Sequence, residues 1–271
     1  MPNDVEIQGP SGEDTTDGLH HSMLAILDQY GDKVSINAKR KGLLKFGSFA
    51  NLGTSVETVQ SQGGNETYCT TNAITHFSSS NSGDTRDIVV EGHTISNGLL
   101  TFVTQTVTLF GQTKTALTTP LARATRVYND GTVDFAGTVY IYEDDTVSSG
   151  VPQTASKLHL QSGARNQGWK ASTSLSSTDY MLVTDWYMFV NRKTAASADF
   201  VLESRQVSTS SKVFRPLAPG NANSAANPTI LTFNPPLIVP KNSDIRTVAS
   251  ASTTSVEVTS FINGYLAKVI A

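Results

Sequence analysis

The residues able to do chemistry are few, and their spacing assembles no recognised catalytic motif. Glu91, Asp134, Glu143 and Asp144 are the clustered carboxylates, and a glycan-cleaving enzyme needs two such groups about 5–9 Å apart, one as acid and one as base or nucleophile. The acidic run Glu143-Asp144-Asp145, and Asp84 with Asp87 around Arg86, offer oxygens of the kind that hold Ca²⁺. Neither has further ligands nearby, so they read as a polar strand end and a turn cap. His20 and His21 are adjacent, which on a helix points them about 100° apart rather than together. Cys69 is the only cysteine; it forms no intrachain disulfide, has no base beside it, and reads as a small half-buried residue. GxGxxG, P-loop and GxSxG patterns are all missing, which sets aside nucleotide-binding α/β folds and the nucleophile elbow and leaves only a scattered triad open. The expectation is a protein that is not an enzyme, with no cofactor and no metal.

Composition points the same way. With 271 residues and 38% hydrophobic content the chain can bury one large or two small all-β domains. Charge is sparse at 16% with a net of −3, so there is no electrostatic footprint for nucleic acid. Ser, Thr, Asn and Gln supply the polar surface, which suits strand faces and oligomer contacts. No run of about 18 apolar residues exists, so no membrane span is expected, and no apolar leader marks a secretory route for the Asn65-Glu66-Thr67 sequon.

The elements that would position any site are strands. Ile88–Val90 and Leu100–Leu109 flank an Asn97-Gly98 turn and predict a hairpin, which Phe110–Thr113 extends into a three-stranded meander with Thr115–Thr119. Asn129-Asp130-Gly131 predicts a second hairpin, joining Ala122–Tyr128 to Thr132–Tyr142, with Val139 and Ile141 in the core and Tyr140 and Tyr142 on an aromatic surface. Glu66–Thr71 reads as a strand and Pro216–Pro228 as a long surface loop. Asp185-Trp186-Tyr187-Met188-Phe189 fits a core strand better than an exposed aromatic platform. Ser255–Asn263 and Tyr265–Ile270 read as a last pair around Asn263-Gly264. Roughly a dozen short strands, with a turn about every ten residues, are the mark of an antiparallel sandwich or barrel; the expectation is all-β, an antiparallel β-sandwich, jelly-roll-like.

Ahead of the strands, residues 1–46 read as an extended arm with one short helix, and 47–271 as the β-sandwich domain, with a soft break near 146–156. In the arm, Asp17 offers an N-cap and Gly31 a stop around Leu19, Met23, Ile26, Leu27 and Tyr30, which recur at helical spacing. Lys39, Arg40 and Lys41 form the one basic cluster. These eight residues are the candidate partner contacts: an apolar stripe with little to bury against alone, and a basic triplet able to dock on an acidic protein surface or serve as a solvated face.

The wording of the core adds a resemblance. IVVEGHTI, the Thr106–Thr113 run TVTLFGQT, the following Arg123 and Arg126, GTVYIYE, and the Pro236–Pro240 strand before Asp244 resemble a group of β-rich virion proteins of tailed phages, many from marine and cyanobacterial phages. The similarity runs from about Leu43 to the C-terminus and carries no active-site residues across. It implies a virion structural protein made in the host cytoplasm, most simply a capsid-decorating, head-stabilising cement protein. Such a protein would form a homo-oligomer, a trimer in the leading reading, and bind the major capsid protein or other virion proteins. The alternative is a tail-associated fibre, adaptor or receptor-binding knob that takes host glycan.

Overall fold

The computed structural model describes residues 41–154, 156–160, 167–191, 196–207, 213–226 and 228–268. They form eighteen strands and no helix, all ladders antiparallel. The predicted helix over Leu19–Tyr30, with Lys39 and Arg40, lies outside the described residues, and Lys41 opens the first strand.

Two sheets enclose the larger core. One has the order β1-β18-β13-β16 and is built from β1 (Lys41–Leu52), β18 (Val256–Lys268), β13 (Asp179–Val190) and β16 (Thr229–Val239). The other has the order β12-β17-β14-β15, from β12 (Ser172–Ser174), β17 (Ser243–Ala251), β14 (Ser197–Gln206) and β15 (Arg215–Asn223). The short β2 (Glu57–Thr58) joins β17 beside β12. If β2 and β12 are taken as one position, the eight positions run 1-8-3-6 in one sheet and 2-7-4-5 in the other. This is the order left when one long hairpin is rolled up, the jelly roll. Inward-facing Trp186, Met188, Phe200, Leu202, Val258 and Ile262 fill it. The Trp186 indole N–H stays satisfied in that core by donating to Ser260 Oγ at 2.9 Å and Thr247 Oγ1 at 3.2 Å.

Between β2 and β12 the chain leaves this roll and builds a second stack. Its sheets are β11-β8-β3-β6 and β5-β4-β7, from β3 (Ile74–Ser79), β4 (Asp87–Ser96), β5 (Leu99–Thr108), β6 (Thr115–Leu121), β7 (Arg123–Asn129), β8 (Val139–Glu143) and β11 (Ser156–Leu160). Phe77, Ile88, Val90, Leu109, Val127 and Ile141 form its own core. The exit and the return run side by side: Gln60 bridges Lys170, and Ser61 N–H donates to Trp169 C=O at 2.8 Å. Residues 146–156 hold a small ribbon of β9 (Val147–Ser148) and β10 (Val151–Pro152) within the second stack.

Several sequence expectations are corrected. The Asn97-Gly98 hairpin forms, with φ of 51° and 76°, but β6 crosses to pair with β3 rather than completing a meander. β7 pairs with β4 and β8 with β3, so Asn129-Asp130-Gly131 turns the chain between sheets and not within a hairpin. Tyr142 is buried rather than displayed, its hydroxyl 2.9 Å from Ser78 Oγ. Residues 66–71 carry no strand; Pro216–Asn223 does, as part of β15; and β18 runs straight through Asn263-Gly264. Residues 41–46, expected as the end of the arm, instead open a full strand that runs to Leu52, because Phe49 and Leu52 face the core opposite Val258 and Val256.

Candidate functional site

None of the sequence-predicted carboxylates pairs with another. Glu91 sits on β4 with Arg126 Nη1 at 3.7 Å, whereas Glu143 ends β8 in the opposite sheet, where Lys157 Nζ holds it at 2.7 Å and lowers its pKa. Asp144 is engaged by Lys114 at 2.7 Å, and Asp145 accepts the Thr146 and Thr154 N–H groups, both at 2.7 Å, closing the ribbon. Buried Asp84 accepts from Ala136 and Gly137 N–H and from Ser79 Oγ, a structural cap. The Cys69 thiol lies 3.5 Å from Glu143 Oε1, and burial pushes its pKa up, away from thiolate chemistry. Among the described residues no three His, Cys, Asp or Glu are grouped to hold a metal ion.

Polar residues converge instead where the two stacks meet. Arg123, from β7, donates through Nε to Asp244 Oδ1 at 2.8 Å and through Nη2 to Oδ2 at 3.1 Å, while Nη1 reaches the Cys69 and Ala122 carbonyls. Asp244, from β17, is wholly buried and also takes Arg205 at 3.0 Å and Ser174 Oγ at 2.6 Å. Burial alone would raise this carboxyl's pKa; the adjoining Arg123 charge and hydrogen bonds, with Ser174 and Arg205, hold it lowered. Cations and rings alternate outward from here, Arg123 over Tyr68, Arg205 over Tyr68 and Phe214, and Arg246 over Phe214, at 4.0–4.9 Å from the ring centroids. Beneath this ladder Glu66 accepts from Lys170, Ser172 and Tyr68. A second tie is Asn242, which accepts the Leu100 N–H at 2.8 Å and donates to the Gly98 and Val207 carbonyls, seating the tip of the β4–β5 hairpin on the roll.

Beside this junction opens a cleft of about 590 Å³, walled by β1 and β12 on one side and β4, β5 and β7 on the other. Lys45, Glu91, Arg126 and Lys170 reach it, with Leu44, Phe46, Phe102 and Leu175 as apolar lining. His93 lines it too, edge-on to Phe102 at 5.4 Å, and its Nδ1 is buried without a hydrogen-bond partner. Burial lowers the imidazole pKa to about 3, against the pull of Asp244 and helped by Lys45 and Arg123, so the ring is neutral at physiological pH.

The outward side of the β1-β18-β13-β16 sheet carries the other unusual surface. Phe46, Phe261, Tyr187 and Ile230 stand opposite one another in register across all four strands. Phe189 adds to the row at 5.5 Å from Phe261, and Trp169 packs edge-on to Phe46 at 4.4 Å, carrying it to the cleft. Ile230 and Tyr265 are 46% and 44% exposed. The next register step is Leu44, Asn263, Asp185 and Thr232, whose lone carboxylate is tied down by Thr232 and Asn263. Asp185–Phe189 is thus part of the expected core strand, with Trp186 and Met188 facing the core, while Tyr187 and Phe189 lie half-buried on its outward side.

Of the sequence-predicted contacts only Lys41 falls in the described residues, as the start of β1. Sequence reasoning passed over Phe46, Phe261, Glu66, Tyr68, Arg205 and Phe214. The period-two placing of Phe261 between Thr259 and Asn263 was a visible signal; the ladder residues come from distant segments and left none.

No protein family model matches this chain, and no curated protein matches it. The solved structures it overlaps include that of infectious bursal disease virus Gt strain, at 11% identity and a TM-score of 0.21, covering 92% of this chain and 82% of the other. The Gx strain gives 9% and 0.20 over the same shares, and the VP2 subviral particle of that virus 8% and 0.18 over 91% and 77%.

Proposed function

We propose that this protein is a structural component of a virion, working through extended contacts and not through catalysis. The observation that carries the reading is the jelly-roll strand order joined to an outward aromatic row four strands wide. Jelly rolls serve in viral capsids, in lectins and in cupins, and the phage-virion wording of the core favours the first. An interface core is rich in aromatics and poor in charge, which describes the Phe46–Phe261–Tyr187–Ile230 row. In this reading the row packs against another copy or a capsid neighbour, the inserted stack rides on the roll through the Arg123–Asp244 junction, and the arm, residues 1–40 ahead of β1, reaches adjoining subunits. The finer assignment is a head-decorating, cement-like protein, assembled as a homo-oligomer on the major capsid protein.

Quantitative mass spectrometry of purified virions tests this. Stoichiometry near one to one, or one to three, with the major capsid protein is expected for decoration. A handful of copies would overturn the decorating role and put the protein at the tail or a unique vertex. Absence from virions would overturn the virion reading altogether.

A further inference from the structure

The cleft between the stacks has three properties of a seat with an occupant. It is open, it sets apolar Leu44, Phe102 and Leu175 beside the cations Lys45, Arg126 and Lys170, and it holds a buried imidazole nitrogen with no hydrogen-bond partner. The chain also supplies a segment of the right chemistry. Residues 1–32 contain seven of the chain's 23 acidic residues and none of its 20 lysines and arginines, leaving the remainder with 16 acidic residues against 20 basic ones, a net of +4. Within the acidic leader, Leu19, Met23, Ile26, Leu27 and Tyr30 form the apolar stripe.

Connectivity brings the two together. The leader runs into β1, and Gly42 to Phe46 of β1 themselves form one wall of the cleft. Only twelve steps separate Tyr30 from Gly42, a span of up to about 40 Å when extended. A segment on so short a tether meets its own cleft at an effective concentration in the mM range, far above that of any second copy in dilute solution.

We infer that the Leu19–Tyr30 segment docks in the cleft of its own subunit, its apolar stripe against Leu44, Phe102 and Leu175 and its one carboxylate, Asp28, with the flanking Asp17 and Asp32, toward the side of Lys45 and Arg126. This deepens the reading of the segment before β1 as a virion arm, giving the arm a stored position before assembly. It stands on the cleft and the charge division, so it fails or survives independently of virion copy number.

The test uses the full chain carrying Ser22→Cys on the flank of the stripe and Leu44→Cys on the cleft rim, where Leu44 is 60% exposed, treated with a short bismaleimide. Docking predicts crosslinked monomer, formed at a rate independent of protein concentration and well above the rate in denaturant, which reports the tether alone. Adding Ile26→Asp and Leu27→Asp, or separately Phe102→Asp on the opposite rim, should return the rate to that baseline. Covalent dimers in place of monomers, or a rate unmoved by either set of substitutions, would overturn the proposal.

Discussion

The Arg123 guanidinium and the Asp244 carboxylate meet through two hydrogen bonds of 2.8 and 3.1 Å although 121 residues separate them. The first belongs to the inserted stack and the second to the roll, so this pair is where the two cores are joined. Asp244 also takes Arg205 of its own stack at 3.0 Å, so one buried carboxylate gathers a cation from each of the two stacks.

Removing one partner should expose the cost of that burial. Asp244→Ala leaves Arg123 and Arg205 facing each other without a counter-charge, and breaking a buried pair in this way costs about 3–5 kcal/mol. Replacing both partners with apolar residues, Arg123→Met with Asp244→Leu, removes the fully buried pair together, leaves only the partly exposed Arg205 without its carboxylate, and should destabilise less than Asp244→Ala alone. Urea denaturation of the two variants beside the parent reads this directly. A single variant within about 1 kcal/mol of the parent, the size of an exposed pair, would show that the junction is held elsewhere.

A buried imidazole, His93, and a half-buried one, His159, set the acid side of the stability profile. His93 has its pKa lowered from 6.5 to about 3 by burial and His159 to about 4 by burial. From pH 6.5 downward the unfolded chain takes up these protons and the folded chain does not. Stability therefore falls as pH falls, by up to about 1.4 kcal/mol per unit for each histidine, until the folded values are reached. The lowered pKa of Asp244 acts in the same direction below its ordinary carboxylate value. Substituting His93→Leu should flatten the slope between pH 6 and 4 by about one proton's worth. Denaturation midpoints at half-unit intervals measure it, and an unchanged slope would mean that His93 is protonated in the folded protein.

The proposed oligomerisation through the aromatic row has its own signature. Phe261→Ser and Tyr187→Ser change half-buried positions outside the roll's core, so folding should survive with a loss of about 1 kcal/mol or less. Light scattering coupled to size exclusion should then report a smaller species than the parent. Self-association that survives both substitutions would place the subunit contact on another surface.

Legibility in the sequence divided along physical lines. Alternation and Asn-Gly chemistry are local, so the all-β class, the β4–β5 hairpin and the core-facing Trp186 could be read directly. Partner choice between strands is non-local. Arg123-Ala124-Thr125 and Val139-Tyr140-Ile141 both look like strands that a short turn should pair, yet the first lies against β4 and the second against β3. The insertion of one stack into the roll was invisible for the same reason, because β2 and β12 are only two and three residues long and carry no periodicity. Glu66–Thr71 misled because Tyr68, Cys69 and the threonines have strand propensity, while their actual task is to pass Glu66 and Tyr68 to the junction cations.

Gly264 is the sharpest case of local chemistry overridden by its surroundings. Asn-Gly normally turns a chain, but here β18 continues straight, with Gly264 opposite Val183 on β13 where that strand's register shifts between Val183 and Asp185. A Cβ at 264 would lie 2.2 Å from the Leu182 carbonyl oxygen and 3.0 Å from Val183 Cα. Backbone in the middle of a four-stranded sheet has little room to retreat, so the glycine serves close approach between strands and not a turn. Gly264→Ala should therefore destabilise by about 1–3 kcal/mol, the ordinary cost of overpacking, whereas the same change at the open Gly42, where nothing lies within 4 Å of the added atom, should be close to neutral. Equal denaturation midpoints for the two variants would show that β13 and β18 separate at this point in solution.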